Sequence, residues 1–221
     1  MKQLSSQNNF VYLLFSLIIF LFSAALVAEI PGSHGVDILS MVTILMLMVS
    51  IKSLKTEVTW RWTVYAIIVF FIVLTLLQKF FDHHLYAYFI LLILLFFFFG
   101  SFASAAKRIL FVGEIDSNKI IGSLTLYLLL GLIWTVIYLL ILVMDPNAFS
   151  GIEVADWQQG FSRVAYYSFV TLTTLGYGDI LPTNHVAQFF VYMEAIIGVF
   201  YMAIIVASLI SHRKPANKSE R

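Results

Sequence analysis

What most restricts the fold of this chain is a series of apolar stretches, each close to twenty residues long and almost free of charge. They lie at 10–28, 35–51, 60–77, 85–106, 120–143 and 186–210. A helix needs roughly 20 mostly apolar residues to cross a bilayer. Of the 221 residues, 61% are hydrophobic and 11% charged, whereas an ordinary soluble domain carries about a quarter charged residues. Burying such runs in a water-surrounded core would leave too little polar surface, so lipid is the expected solvent. The fold class expected is an all-α membrane protein with six transmembrane helices. The second stretch is the shortest, between Asp37 and Lys52, and a bilayer meets that length by thinning or by snorkelling of Lys52. The first can also be read as a signal peptide behind Lys2, although its apolar run exceeds the about 7–15 residues of such a region.

Lys and Arg accumulate in cytoplasmic connections. In a six-helix arrangement Lys2, Lys52, Lys55, Arg61, Lys107, Arg108, Lys119, Arg213, Lys214, Lys218 and Arg221 fall on one side, and Lys79 and Arg163 on the other. This predicts a multi-pass protein of the cell membrane with both termini cytoplasmic. Four units follow: a four-helix membrane domain at 1–106, a cytoplasmic linker at 107–119, a second membrane unit at 120–211 and a short cytoplasmic tail at 212–221. The tail is too short for a regulatory domain. The absence of cysteine excludes disulfides and thiolate chemistry. No basic run alternates with aromatics, so no nucleic-acid partner is expected. The carboxylates and histidines form no acid–base constellation, so an enzyme is not expected either, and His34, His83, His84 and His185 lack the third ligand of a metal site.

Between the last two long stretches lies 145–185, with a partly polar helical pattern at 161–173 that Gly160 and Ser162 can start. At about 1.5 Å per residue such a helix reaches roughly 20 Å, short of the ~30 Å hydrocarbon core. The segment must therefore dip in and return. Gly176 ends any helical run, and irregular backbone at that depth is tolerated only along a water-filled or protein-enclosed path.

The residues that follow, Thr174-Leu175-Gly176-Tyr177-Gly178-Asp179, resemble the selectivity filter of potassium channels. The likeness extends over about 120–210, and the chain looks like the short prokaryotic channels without a cytoplasmic regulatory domain. Their fifth helix carries a stretch like Tyr-Leu-Leu-Leu-Gly-Leu-Ile-Trp, here 127–134, and their inner helix an acid ahead of a hinge glycine, here Glu194 and Gly198. The resemblance implies a re-entrant pore helix and filter between helices five and six. It implies potassium binding by Thr174, Leu175, Gly176, Tyr177 and Gly178, with no cofactor besides those ions. The chemistry suits the residues: carbonyl oxygens replace the hydration shell, and Gly176 and Gly178 adopt positive φ without a Cβ penalty. Tyr166 and Tyr167 correspond to an aromatic cuff, and Thr173 to the inner mouth. Asp179 is expected to bond Tyr166, because Val170 stands where some relatives place a carboxylate. Leu175 replaces the commoner valine.

A filter needs four loops and this chain has one, so a homotetramer of identical subunits is implied, conducting potassium passively. A nonconducting or regulatory subunit that retains the pore fold, and a potassium transporter component, are the alternatives. Stretch 85–106 contains no charged residue, whereas a voltage sensor carries spaced arginines, so voltage gating is not expected. On the last helix, Val199, Met202, Ala203, Val206, Ala207 and Ile210 share one stripe at about 100° per residue, expected to line a cavity. Glu194 lies nearly opposite. It is expected to support the filter by bonding a hydroxyl such as Ser168, Thr171 or a nearby tyrosine.

Overall fold

The computed structural model describes residues 9–30, 34–53, 58–80, 84–110, 117–152 and 156–211. The helices in chain order are α1 (Asn9–Ala28), α2 (His34–Ser53), α3 (Val58–Phe80), α4 (His84–Leu110) and α5 (Ser117–Met144). A two-residue strand β1 (Phe149–Ser150), the short helix α6 (Trp157–Leu172), the strand β2 (Leu181–Pro182) and α7 (His185–Ser211) complete the order. Among the described residues, five helices are long and apolar enough to cross a membrane; the apolar part of α2, Gly35–Ile51, is shorter. Helix α4 runs on to Leu110 and α5 begins at Ser117, so the expected linker 107–119 is helical at both its ends. The expected tail at 212–221, Lys2 and Lys55 lie outside the described residues.

Helices buried in an apolar medium must satisfy their own polar groups. Several of their hydroxyls do so locally. Thr43 donates to the Leu39 carbonyl at 2.7 Å, Ser50 to Leu47 at 2.6 Å, Thr125 to Ile121 at 2.8 Å and Thr135 to Gly131 at 2.7 Å. This back-bonding to the preceding turn lets small polar residues sit inside otherwise apolar helices.

Glycine sets how closely several helices approach. A Cβ at Gly100 would enter the Trp60 ring, at Gly131 the Phe169 ring, and at Gly122 the Ile109 side chain. Helix α5 is thereby enclosed by α4, α1 and α6. The first helix reaches the C-terminal half: Phe20 of α1 meets Phe161 of α6 edge to face, ring centroids 5.1 Å apart, and both rings are buried. Gln78 at the end of α3 accepts a hydrogen bond from Gln158 of α6 at 3.5 Å. The short helix α6 is thus backed by the N-terminal helices and by α5, and its opposite side remains open.

Candidate functional site

Helix α6 begins one turn earlier than its polarity pattern indicates. Asp156, in extended conformation, is its N-cap, and the Gly160 amide already donates to the Asp156 carbonyl at 3.0 Å. Trp157 and Gln158 are buried, and Gln158 bonds Gln78 of α3, so the first turn is set by burial rather than by a glycine or serine start. The C-terminal end follows the sequence expectation more closely. Thr173 caps it, its amide and its hydroxyl both donating to the Phe169 carbonyl, at 3.1 and 2.7 Å. The Tyr127 hydroxyl of α5 donates to the Leu172 carbonyl at 3.3 Å.

Beyond this cap the backbone alternates. Thr174, Gly176 and Gly178 have φ of 59°, 53° and 80°, whereas Leu175 and Tyr177 lie outside the positive region. Nothing lies within 4 Å of a Cβ built on Gly176 or Gly178; backbone conformation, not space, calls for glycine there. A β-branched residue at positive φ is a strained exception, costing about 1–3 kcal/mol unless the surroundings impose it. For Thr174 they do. Its amide donates to Thr171 at 2.9 Å, and the amides of Leu175 and Gly176 both donate to the Val170 carbonyl, at 2.9 and 3.4 Å.

Those bonds fix where the carbonyls go. No peptide among the described residues is cis, and in a trans peptide the N–H and C=O point in opposite directions. With the Leu175 and Gly176 amides aimed at α6, the Thr174 and Leu175 carbonyls are aimed away from it. Residues Thr173 to Asp179 are all exposed on that open side, presenting main-chain oxygen toward the space in front of the chain.

The remaining sequence-derived residues divide by position. Tyr177 stacks on Tyr166, rings 6.3 Å apart and 7° from parallel. Tyr167 turns the other way, into the core against Tyr138 and Phe149. Asp179 shares hydrogen bonding with the Tyr166 hydroxyl, as expected. It also pairs with Arg163 at 3.3 Å, a partner that sequence reading missed because Arg163 counted only as an outer-side cation. Its position four residues after Gln159 and three before Tyr166 on one short helix was the available signal.

An outer rim, not foreseen from sequence, joins α5 to α7. β1 and β2 pair antiparallel, Phe149 opposite Pro182 and Ser150 opposite Leu181. Asn184 donates to Asp145 at 2.8 Å and accepts from the Ala187 amide at 2.8 Å, capping α7. Gly151, at φ 81°, passes so close to the Asp179 carbonyl that no side chain would fit.

On α7, Glu194 is fully buried. It accepts hydrogen bonds from Ser168 of α6 at 2.6 Å and from Tyr138 of α5. Gly198 lies where a Cβ would strike the Leu172 carbonyl, and α7 is continuous through it. Val199 and Met202 are 55% and 50% exposed, on the side away from Glu194. Val206 and Ile210 lie in the helix, their side chains outside the described residues.

Known proteins give this region a class. Residues 123–212 match the family model described as "Ion channel", so that stretch is similar to ion-channel domains. The mouse protein "Potassium channel, subfamily K, member 16" is 32% identical over 93 residues, which is 38% of this chain and 30% of that relative. The chain therefore covers well under two thirds of the relative's length. No solved structure matches. Both matches point to a channel and not to an enzyme, and with the long apolar helices they describe a multi-pass membrane protein.

Proposed function

We propose that this chain is the subunit of a homotetrameric, potassium-selective channel that conducts passively, with Thr174, Leu175, Gly176, Tyr177 and Gly178 as its ion-coordinating strand. The reading rests on one observation above the others: the Leu175 and Gly176 amides turn back to Val170, which aims the Thr174 and Leu175 carbonyls at the open side. A cation stripped of water needs such oxygens. One chain supplies one strand of them, and four copies would enclose a path. The exposed filter face and the exposed side of α7 are the surfaces those copies would cover, with six helices per subunit crossing the bilayer. The C-terminal end of α6 adds partial negative charge behind the strand. The uncharged core of α4 argues against voltage gating, since each gating charge couples only about 2.3 kcal/mol per 100 mV.

Purified protein in liposomes is expected to pass potassium over sodium by at least about tenfold, on the order of 1.4 kcal/mol in barrier, with conductance nearly flat in voltage. Native mass measurement is expected to find four chains. Equal sodium flux, or assembly that stops at dimers, overturns the reading.

A further inference from the structure

The filter uses its own carbonyls and the bonds to Val170, and neither explains a buried carboxyl at the meeting point of three helices. Glu194, Ser168 and Tyr138 are each 0% exposed. No basic side chain contributes at Glu194. The titratable groups that face it from neighbouring helices are phenols: Tyr138 and Tyr127 on α5, and Tyr167 on α6.

Counting protons makes the cluster a two-position device. The Ser168 hydroxyl has one proton and two acceptors in range, the Gly131 carbonyl at 2.9 Å and Glu194 Oε1 at 2.6 Å. An ionised carboxylate only accepts, so it takes the Ser168 proton and the Gly131 carbonyl loses that bond. A protonated Glu194 donates through Oε1 to Ser168, whose own proton then goes to Gly131, while Tyr138 still donates to Oε2. The Gly131 carbonyl is not stranded in either state, because the Thr135 hydroxyl also donates to it at 2.7 Å. Neither arrangement leaves a buried hydrogen-bonding group unpaired, so neither state carries that penalty.

We propose that Glu194, Ser168 and Gly131 form a proton-operated clasp on the pore helix. With the proton on Glu194, α6 is tied to α5 and α7 at once. Without it, α6 is tied through Ser168 to α7 alone. Ser168 stands two residues before Val170, whose carbonyl holds the Leu175 and Gly176 amides, and beside Phe169, which fills the space over Gly131. The clasp therefore acts one turn from the bonds that aim the filter carbonyls, and Glu194 is a positioning residue, not an ion ligand. The inference rests on the reading of 174–178 as a conducting strand.

The test is potassium flux from liposomes scanned between about pH 5 and 9, where carboxylates and histidines titrate in proteins. Flux through the unaltered protein is expected to fall at least about threefold toward the alkaline end, as in a population shift between two states. Glu194→Gln is expected to hold the acid-side flux across the scan, since its amide donates to Ser168 and its carbonyl accepts from Tyr138. Ser168→Ala, with one acceptor relay removed, is expected to lose the pH response as well. Histidines and exposed carboxylates are the same in all three proteins, so the difference isolates the clasp. A Glu194→Gln curve that follows the unaltered protein overturns it, and if that variant does not fold, the Ser168→Ala curve decides in the same way. Infrared difference spectra provide a readout without flux: a protonated-carboxyl stretch that grows on acidification and is missing in Glu194→Gln supports the clasp, and its absence from the unaltered protein refutes it. Should no protein pass potassium at any pH, the channel reading fails and the infrared result alone decides the clasp.

Discussion

Helices α5 and α7 flank the same segment 173–179 and are both long and apolar, yet their surroundings are opposite. Of the apolar window of α5, 67% is buried within the chain; of that of α7, 11%. Helix α5 is enclosed by α1, α4 and α6. Among the points where the described part of helix α7 meets its own chain are Phe190 against Trp134, Glu194 on Ser168 and Tyr138, Gly198 on Leu172, and Tyr201, whose hydroxyl donates to the Ser123 carbonyl at 2.6 Å. Apolarity measures how strongly a side chain leaves water. It does not say whether protein, lipid or another copy receives it.

If α5 is core and the filter side of α7 is working surface, substitutions sort by surface. The largest effect is expected at the filter itself. Gly176→Asp forces a branched, charged side chain onto a backbone at φ 53° and is expected to abolish potassium flux while size-exclusion still finds the assembled protein. Retained flux would separate the exposed strand from conduction and break the comparison at its centre.

A paired change comes next. Leu139 of α5 is 0% exposed and Val199 of α7 is 55% exposed. Leu139→Ala is expected to destabilise the fold by about 2–5 kcal/mol, the cost of a lost buried side chain and its cavity. Val199→Ala is expected to stay within about 0.5 kcal/mol, as surface changes do, while altering conductance or assembly. Denaturation in detergent compares the two, and equal losses would show that the bare face of α7 is packed as firmly as α5.

The smallest effect belongs to the rim of the proposed filter. Asp179→Asn removes the 3.3 Å pair with Arg163, whose side chains are 51% and 37% exposed on the Arg and Asp sides. Solvent screens such a pair, so less than about 1 kcal/mol is expected, seen as a small shift in thermal unfolding. A loss comparable with Leu139→Ala would mean that a neighbouring copy buries this pair.

The clasp shows where sequence reading reached and where it stopped. The intramembrane acid at Glu194 stood out because ionisable groups are rare among apolar residues, and the helical period placed it opposite the Val199 stripe. Ser168 was a legible partner, being a small hydroxyl on the short helix. Tyr138 was not separable from Tyr127, which also lies on α5 and whose hydroxyl instead caps Leu172. Gly131 left no sign of itself: a helical glycine reads as a tolerated weak point, and its contact with Phe169 exists only when α5 and α6 are side by side.

By itself the sequence determined the helical character of the chain, since twenty-residue apolar runs without water can satisfy their backbone only as helices or closed barrels. It also determined the place where the helix must give way, since Gly176 and Gly178 permit a positive φ that most residues resist. Only the tertiary structure decided that α1 backs the short helix α6, that Arg163 meets Asp179, that a strand pair joins the ends of α5 and α7, and that α5 is enclosed where α7 is largely exposed. Those outcomes depend on which surfaces meet across long separations in the chain. Hydrophobic attraction is proportional to area and has no direction, so several partners satisfy one apolar face equally until glycine gaps, ring shapes and buried hydrogen bonds select among them.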